Sequence, residues 1–94
     1  MVSNVTLSDV SWDSFLLSWE AEEGAFEGFL VEVMDAESGA EWQNHTVAAE
    51  DRSLPVAGLT PSTWYRANLY GVYRNSLLDP VYADTITGIG SGAR

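Results

Sequence analysis

Apolar and polar residues alternate with period two along most of the chain, the pattern of half-buried strands. Phe15, Leu17 and Trp19 interleave with Leu16, Ser18 and Glu20, and Phe29, Val31 and Val33 with Leu30, Glu32 and Met34. Val5, Leu7 and Val10 mark a first strand, Trp42–Val47 a fourth, Arg52–Val56 a short fifth, Thr63–Tyr73 a sixth and Val81–Thr87 a seventh. Turn-forming clusters separate them at Glu22-Glu23-Gly24, Glu37-Ser38-Gly39, Ala57-Gly58 to Pro61-Ser62, and Asn75-Ser76 to Asp79-Pro80. No stretch has helical periodicity. Seven short strands at this spacing predict an all-β antiparallel sandwich. Pro55 has no N–H to give to a ladder, so the fifth strand belongs at a sheet edge.

A chain of 94 residues makes one domain. The strands place that domain at residues 1–87; residues 88–94, "GIGSGAR", have little to bury and read as a linker or tail. There is no cysteine, so no disulfide or thiol chemistry contributes. No apolar run approaches the ~20 residues of a membrane-spanning helix, and no secretory leader is recognisable. The net charge is −10, and the only basic side chains apart from one histidine are four arginines. Nucleic acid and anionic membrane surfaces are therefore excluded as expected partners. An acidic surface gives solubility and self-repulsion, and can steer a basic partner. Asp9, Glu22 and Glu23 are expected to lie close together and to repel, which would favour the fold at mildly acidic pH or in salt.

Catalysis needs complementary groups held together. His45 is the single histidine and falls in a strand beside Asn44, a surface or edge position rather than that of a base. One histidine without cysteine gives no transition-metal site, and the carboxylates lack the spacing of a calcium loop. No G-x-S-x-G constellation or phosphate-cradling glycine loop occurs. The sequence thus predicts no catalytic residues, no metal and no cofactor. Two Asn-x-Thr sequons, Asn4-Val5-Thr6 and Asn44-His45-Thr46, are candidate N-glycosylation sites.

"LTPSTWY" resembles the entry to the sixth strand of fibronectin type III domains: a leucine (Leu59), a proline two residues on (Pro61) and a tyrosine four residues later (Tyr65). Trp19 in "FLLSWE" matches that family's second-strand tryptophan. Among such domains, "SDVSWDSFLLSW", "EGAFEGFLVEV" and "LYGVYR" are most similar to those of tenascins, and "NHTV" sits where many of those domains carry a sequon. The resemblance covers about Val5 to Thr87. It implies a seven-stranded immunoglobulin-like sandwich of fibronectin type III type, and a secreted, extracellular module that binds matrix components or cell-surface receptors without catalysis. The alternative is an engineered scaffold of the same fold, selected against a protein target. The Arg-Gly-Asp adhesion tripeptide is missing, and Leu78-Asp79-Pro80 is too short to serve as a motif.

The resemblance makes Tyr65 a corner residue with a buried ring and a hydroxyl bonded to backbone upstream. Period two then sends Ala67, Leu69 and Gly71 inward and Trp64, Arg66, Asn68, Tyr70 and Val72 outward. Small Ala67 and Gly71 leave room for Trp19 and Phe29. The expected core is Phe15, Leu17, Trp19, Phe29, Val31, Val33, Leu59, Tyr65 and Leu69. Trp12 is expected to cover one end of the sandwich at the first turn, Trp42 to lie on the fourth strand, and Trp64 to shield the entry to the sixth strand. The face formed by the third, sixth and seventh strands carries Leu30, Glu32, Met34, Arg66, Asn68 and Tyr70. With Arg74, Leu77 and Leu78 of the adjoining loop, it is the candidate protein-binding surface of a monomeric domain. A sheet face packed by its own cross-strand pairs is the competing interpretation.

Overall fold

The computed structural model describes residues 2–90. Eight strands run β1 Ser3–Ser8, β2 Phe15–Glu20, β3 Gly28–Asp35, β4 Glu41–Ala48, β5 Ser53–Val56, β6 Trp64–Tyr73, β7 Ser76–Leu77 and β8 Val81–Ile86. They form two antiparallel sheets: β1-β2-β5, and β4-β3-β6 with both β7 and β8 paired to β6. The result is an all-β sandwich. The alternating side chains of β2, β3 and β6 meet between the sheets, and all nine expected core residues are buried there. Val2, Val47, Val56 and Ala67 complete the core. Pro55 lies on β5 at the edge of its sheet, as a residue without an N–H requires.

The strand count differs from seven because of one hairpin. Tyr73 pairs with Ser76 across Arg74 and Asn75, whose φ angles are 53° and 63°. Two positive φ values make the tight two-residue turn that suits twisted strands. Glycine usually supplies that geometry; here the Glu27 carboxylate accepts bonds from the Arg74 and Asn75 N–H groups at 3.0 and 3.3 Å. A lock from 47 residues away along the chain leaves no local sequence signal.

Two further expectations are corrected. β1 ends at Ser8, and Asp9 turns the chain with a φ of 50°, so Val10 lies outside the strand and is exposed. Asp9 also lies far from Glu22 and Glu23. Ser8 pairs with Leu16 near the start of β2, whereas Ser3 pairs with Glu20 at its end. Antiparallel pairing puts Asp9 and the two glutamates at opposite ends of the sandwich, on the order of 20 Å apart at ~3.3 Å per residue. The expected mutual repulsion has no basis.

Gly71 leaves room, but mainly for a ring other than those expected. A Cβ there would sit 2.5 Å from the Phe26 ring, which closes over the bare backbone from the β2–β3 loop. Phe26 in turn stacks at a tilt on Phe29, and Phe29 meets Trp19 edge-on, each pair with centroids 5.4 Å apart. At the other end, the Tyr65 hydroxyl accepts the Thr60 N–H at 2.9 Å, closing the corner that the resemblance implied. Tyr65→Phe keeps the buried ring and deprives Thr60 of its acceptor. It is expected to lower stability by ~1–2 kcal/mol in urea denaturation.

Candidate functional site: the outer face of the five-stranded sheet

The register of β3 and β6 decides which side chains share the outer face. Leu30 lies opposite Tyr70, Glu32 opposite Asn68, and Met34 opposite Arg66. On the far side of β6, Asn68 faces Tyr82, Arg66 faces Asp84 and Trp64 faces Ile86. Six of the nine expected surface residues are therefore in three adjacent cross-strand rows. Leu77 joins them through its pairing with Val72. Leu78 does not: it lines a hollow at one end of the sandwich with Val2, Phe26 and Val81. Arg74 sits at the hairpin turn, its guanidinium 5.3 Å from the Tyr73 ring centre.

The polar groups of this face are bonded to one another. Tyr70 donates its hydroxyl proton to Glu32 Oε1 at 2.8 Å, and Asn68 Nδ2 donates to Met34 Sδ at 3.1 Å. Arg66 forks onto both Asp84 oxygens, at 2.8 and 3.0 Å, and stacks 4.0 Å from the Tyr82 ring centre. Held on both sides, the guanidinium loses little further freedom when covered by a partner. The bonds with Arg66 hold the Asp84 carboxyl below the usual aspartate range. Apolar groups surround the polar ones: Tyr82 is 56% exposed and Leu77 53%, and Trp64 and Ile86 are also exposed.

The other sheet differs. Its outer face carries Thr6, Ser8, Leu16, Ser18, Ser53 and Pro55 in register, with Ser18 between Thr6 and Ser53. Among the described residues, it offers no aromatic side chain and no arginine.

The fibronectin type III domain family model matches residues 1–83. The chain belongs to this family. It is 38% identical to chicken (Gallus gallus) tenascin over 87 residues, covering 93% of the chain and 5% of that protein. It is 36% identical to mouse (Mus musculus) tenascin over 90 residues, covering 96% of the chain and 4% of that protein. The chain thus spans a small fraction of the tenascins it matches. A two-domain fibronectin type III segment from chicken tenascin superposes with a TM-score of 0.85 at 18% identity, covering 95% of this chain and 50% of that one.

Within this fibronectin type III domain, β8 supplies residues that sequence reasoning left out of the surface. Val81, Ala83 and Thr85 are half-buried, whereas the larger Tyr82 and Ile86 are exposed with Asp84. A strand that turns its bulkier apolar side chains outward departs from ordinary patterning, and that inversion was readable in "VYADTI". Both sequon asparagines are exposed. Asn4 sits at a bulge of β1 with φ 54° and donates to Glu20 at 2.8 Å. Asn44 pairs with Glu32 on the outer face itself and donates to Glu41. His45 lies on the edge strand β4, its Nε2 2.7 Å from Gln43 Oε1. Among the described residues, no helix is long and apolar enough to cross a membrane and no cluster of ligating side chains could hold a metal ion.

The bond to Glu32 raises the Tyr70 phenol above its ordinary pKa, with burial adding to the effect. A raised phenol pKa stabilises the fold fully below the unfolded value of ~10, and the contribution disappears as pH rises through the folded pKa. Absorbance titration of phenolate, compared between the wild type and Tyr70→Phe, is expected to show that the variant lacks a phenol ionising above the ordinary tyrosine range.

Proposed function

We propose that this fibronectin type III domain is a non-catalytic, extracellular matrix module of a tenascin-like protein that binds proteins and supports cell adhesion. The outer face of the five-stranded sheet is its contact surface. The observation that carries the reading is the contrast between the two faces. One combines Tyr70, Tyr82 and a doubly anchored Arg66 with Leu30, Met34 and Leu77. The other is mostly hydroxyl-bearing. Aromatic residues, methionine and arginine are the types enriched at the centres of protein interfaces. The extracellular setting rests on the tenascin relatives, and the two exposed sequons agree with it.

In this reading the protein acts as a monomer, without cofactor or membrane insertion, and Asn4 and Asn44 accept glycans on secretion. A glycan on Asn44 would stand beside Glu32 and shade part of the contact face. The test is attachment of matrix-dependent cells to surfaces coated with the unglycosylated domain. Attachment is expected, with most of it lost for the Tyr70→Ala, Leu77→Ala double variant at equal coating density. Equal attachment to both proteins, or none to either, overturns the reading.

A further inference from the structure

The hollow at the end of the sandwich where β1 begins is built like a receptor for a side chain. Its volume is about 500 Å³, and Val2, Phe26, Gly71, Tyr73, Leu78 and Val81 provide most of its wall. That size lies within the ~300–1,000 Å³ of ligand-holding clefts. Its position is fixed by the fold. Leu78 N–H donates to the Gly71 carbonyl at 2.9 Å, and Glu27 pins the adjacent turn. A cleft held in place in this way needs little ordering on binding.

Charge selects the occupant. Glu20, Glu22, Glu23, Glu27, Glu50, Asp51 and Asp79 all lie in strand ends or loops at this end of the molecule, against Arg52 and Arg74. Asp79 is part of the cleft wall itself. Arg52 is engaged with the carbonyl oxygens of Ala21, Ala49 and Asp51, and Arg74 lies against Tyr73. A second copy of this chain, with net charge −10, would be repelled, and so would any acidic ligand. We propose that this cleft binds a basic peptide segment, which inserts one large aliphatic side chain between Phe26 and Leu78 while its flanking cations face the acidic rim. This surface is separate from the outer sheet face, and the proposal stands without the function assigned to that face.

The probe is the peptide acetyl-Arg-Arg-Leu-Arg-Arg-amide, titrated into the ¹⁵N-labelled domain to low millimolar concentration. Saturable shifts are expected at the amides of Phe26, Gly71, Tyr73 and Leu78. The alanine-centred peptide should bind at least ~5-fold more weakly, because it loses most of the burial of a leucine side chain. Raising salt to about 0.3 M should weaken both peptides, and acetyl-Glu-Glu-Leu-Glu-Glu-amide should leave the spectrum unchanged. Leu78 is 42% exposed, so Leu78→Ala should keep the dispersed spectrum of the fold and bind the leucine peptide ~5-fold more weakly. The proposal is overturned by equal binding of the leucine and alanine peptides, by shifts confined to the outer sheet face, by a Leu78→Ala variant that binds as well as the wild type, or by no saturable shift.

Discussion

Replacing Trp19 with alanine is expected to lower the unfolding free energy by ~3–5 kcal/mol, as large-to-small core changes do. Trp19 is 3% exposed and meets Phe29 edge-on, and Phe29 supports Phe26 over Gly71. The cavity would therefore open under an aromatic stack that spans both sheets. Against a total stability of ~5–15 kcal/mol, the loss could leave a substantial unfolded fraction. Trp19→Phe should cost distinctly less. The indole N–H is buried without a hydrogen-bond partner, so phenylalanine removes an unsatisfied donor along with part of the ring. Urea denaturation of the three proteins is the check. An unchanged midpoint for Trp19→Ala would contradict the place given to β2 in the core.

Tyr70→Ala should weaken binding to a protein partner by ~2 kcal/mol or more, the loss typical of an aromatic at an interface centre. Its fold should survive. The ring lies on the outer face between Leu30 and the rows that carry Arg66 and Tyr82, and the buried positions of β6 are Tyr65, Ala67, Leu69 and Gly71 on its other face. Removing it exposes Leu30 and frees the Glu32 carboxylate to water, where a charge is readily solvated. Alanine should therefore affect the partner's affinity far more than the melting temperature. An interface change of this size is ~30-fold in dissociation constant at 1.4 kcal/mol per tenfold.

The core was legible in the sequence because period two is unambiguous where one face is dry. Phe15, Leu17 and Trp19, and likewise Phe29, Val31 and Val33, permit one phase only, and all are buried. The outer face followed by subtraction: once Tyr65 and Leu69 are inside, Arg66, Asn68 and Tyr70 are outside. What stayed hidden depends on long-range partners. The β6–β7 hairpin uses arginine and asparagine at positive φ, a conformation tied down by Glu27 from another loop. The same hairpin sends Leu77 and Leu78 to different surfaces, so two adjacent leucines that look like one patch divide between the sheet face and the end cleft. The expected meeting of Asp9 with Glu22 and Glu23 ignored strand direction, which places the end of β1 beside the start of β2.

The central claim is that binding belongs to the outer face of the five-stranded sheet. The most direct measurement is the affinity of one partner, isolated by cross-linking to the wild-type domain, for Tyr70→Ala and for Ser18→Ala, with thermal melting recorded for both. Ser18 lies on the outer face of the opposite sheet, between Thr6 and Ser53. The expected result is a ~30-fold or greater loss for Tyr70→Ala and no loss for Ser18→Ala, both melting near the wild type. A loss for Ser18→Ala with full affinity retained by Tyr70→Ala would place the binding surface on the other sheet and contradict the account.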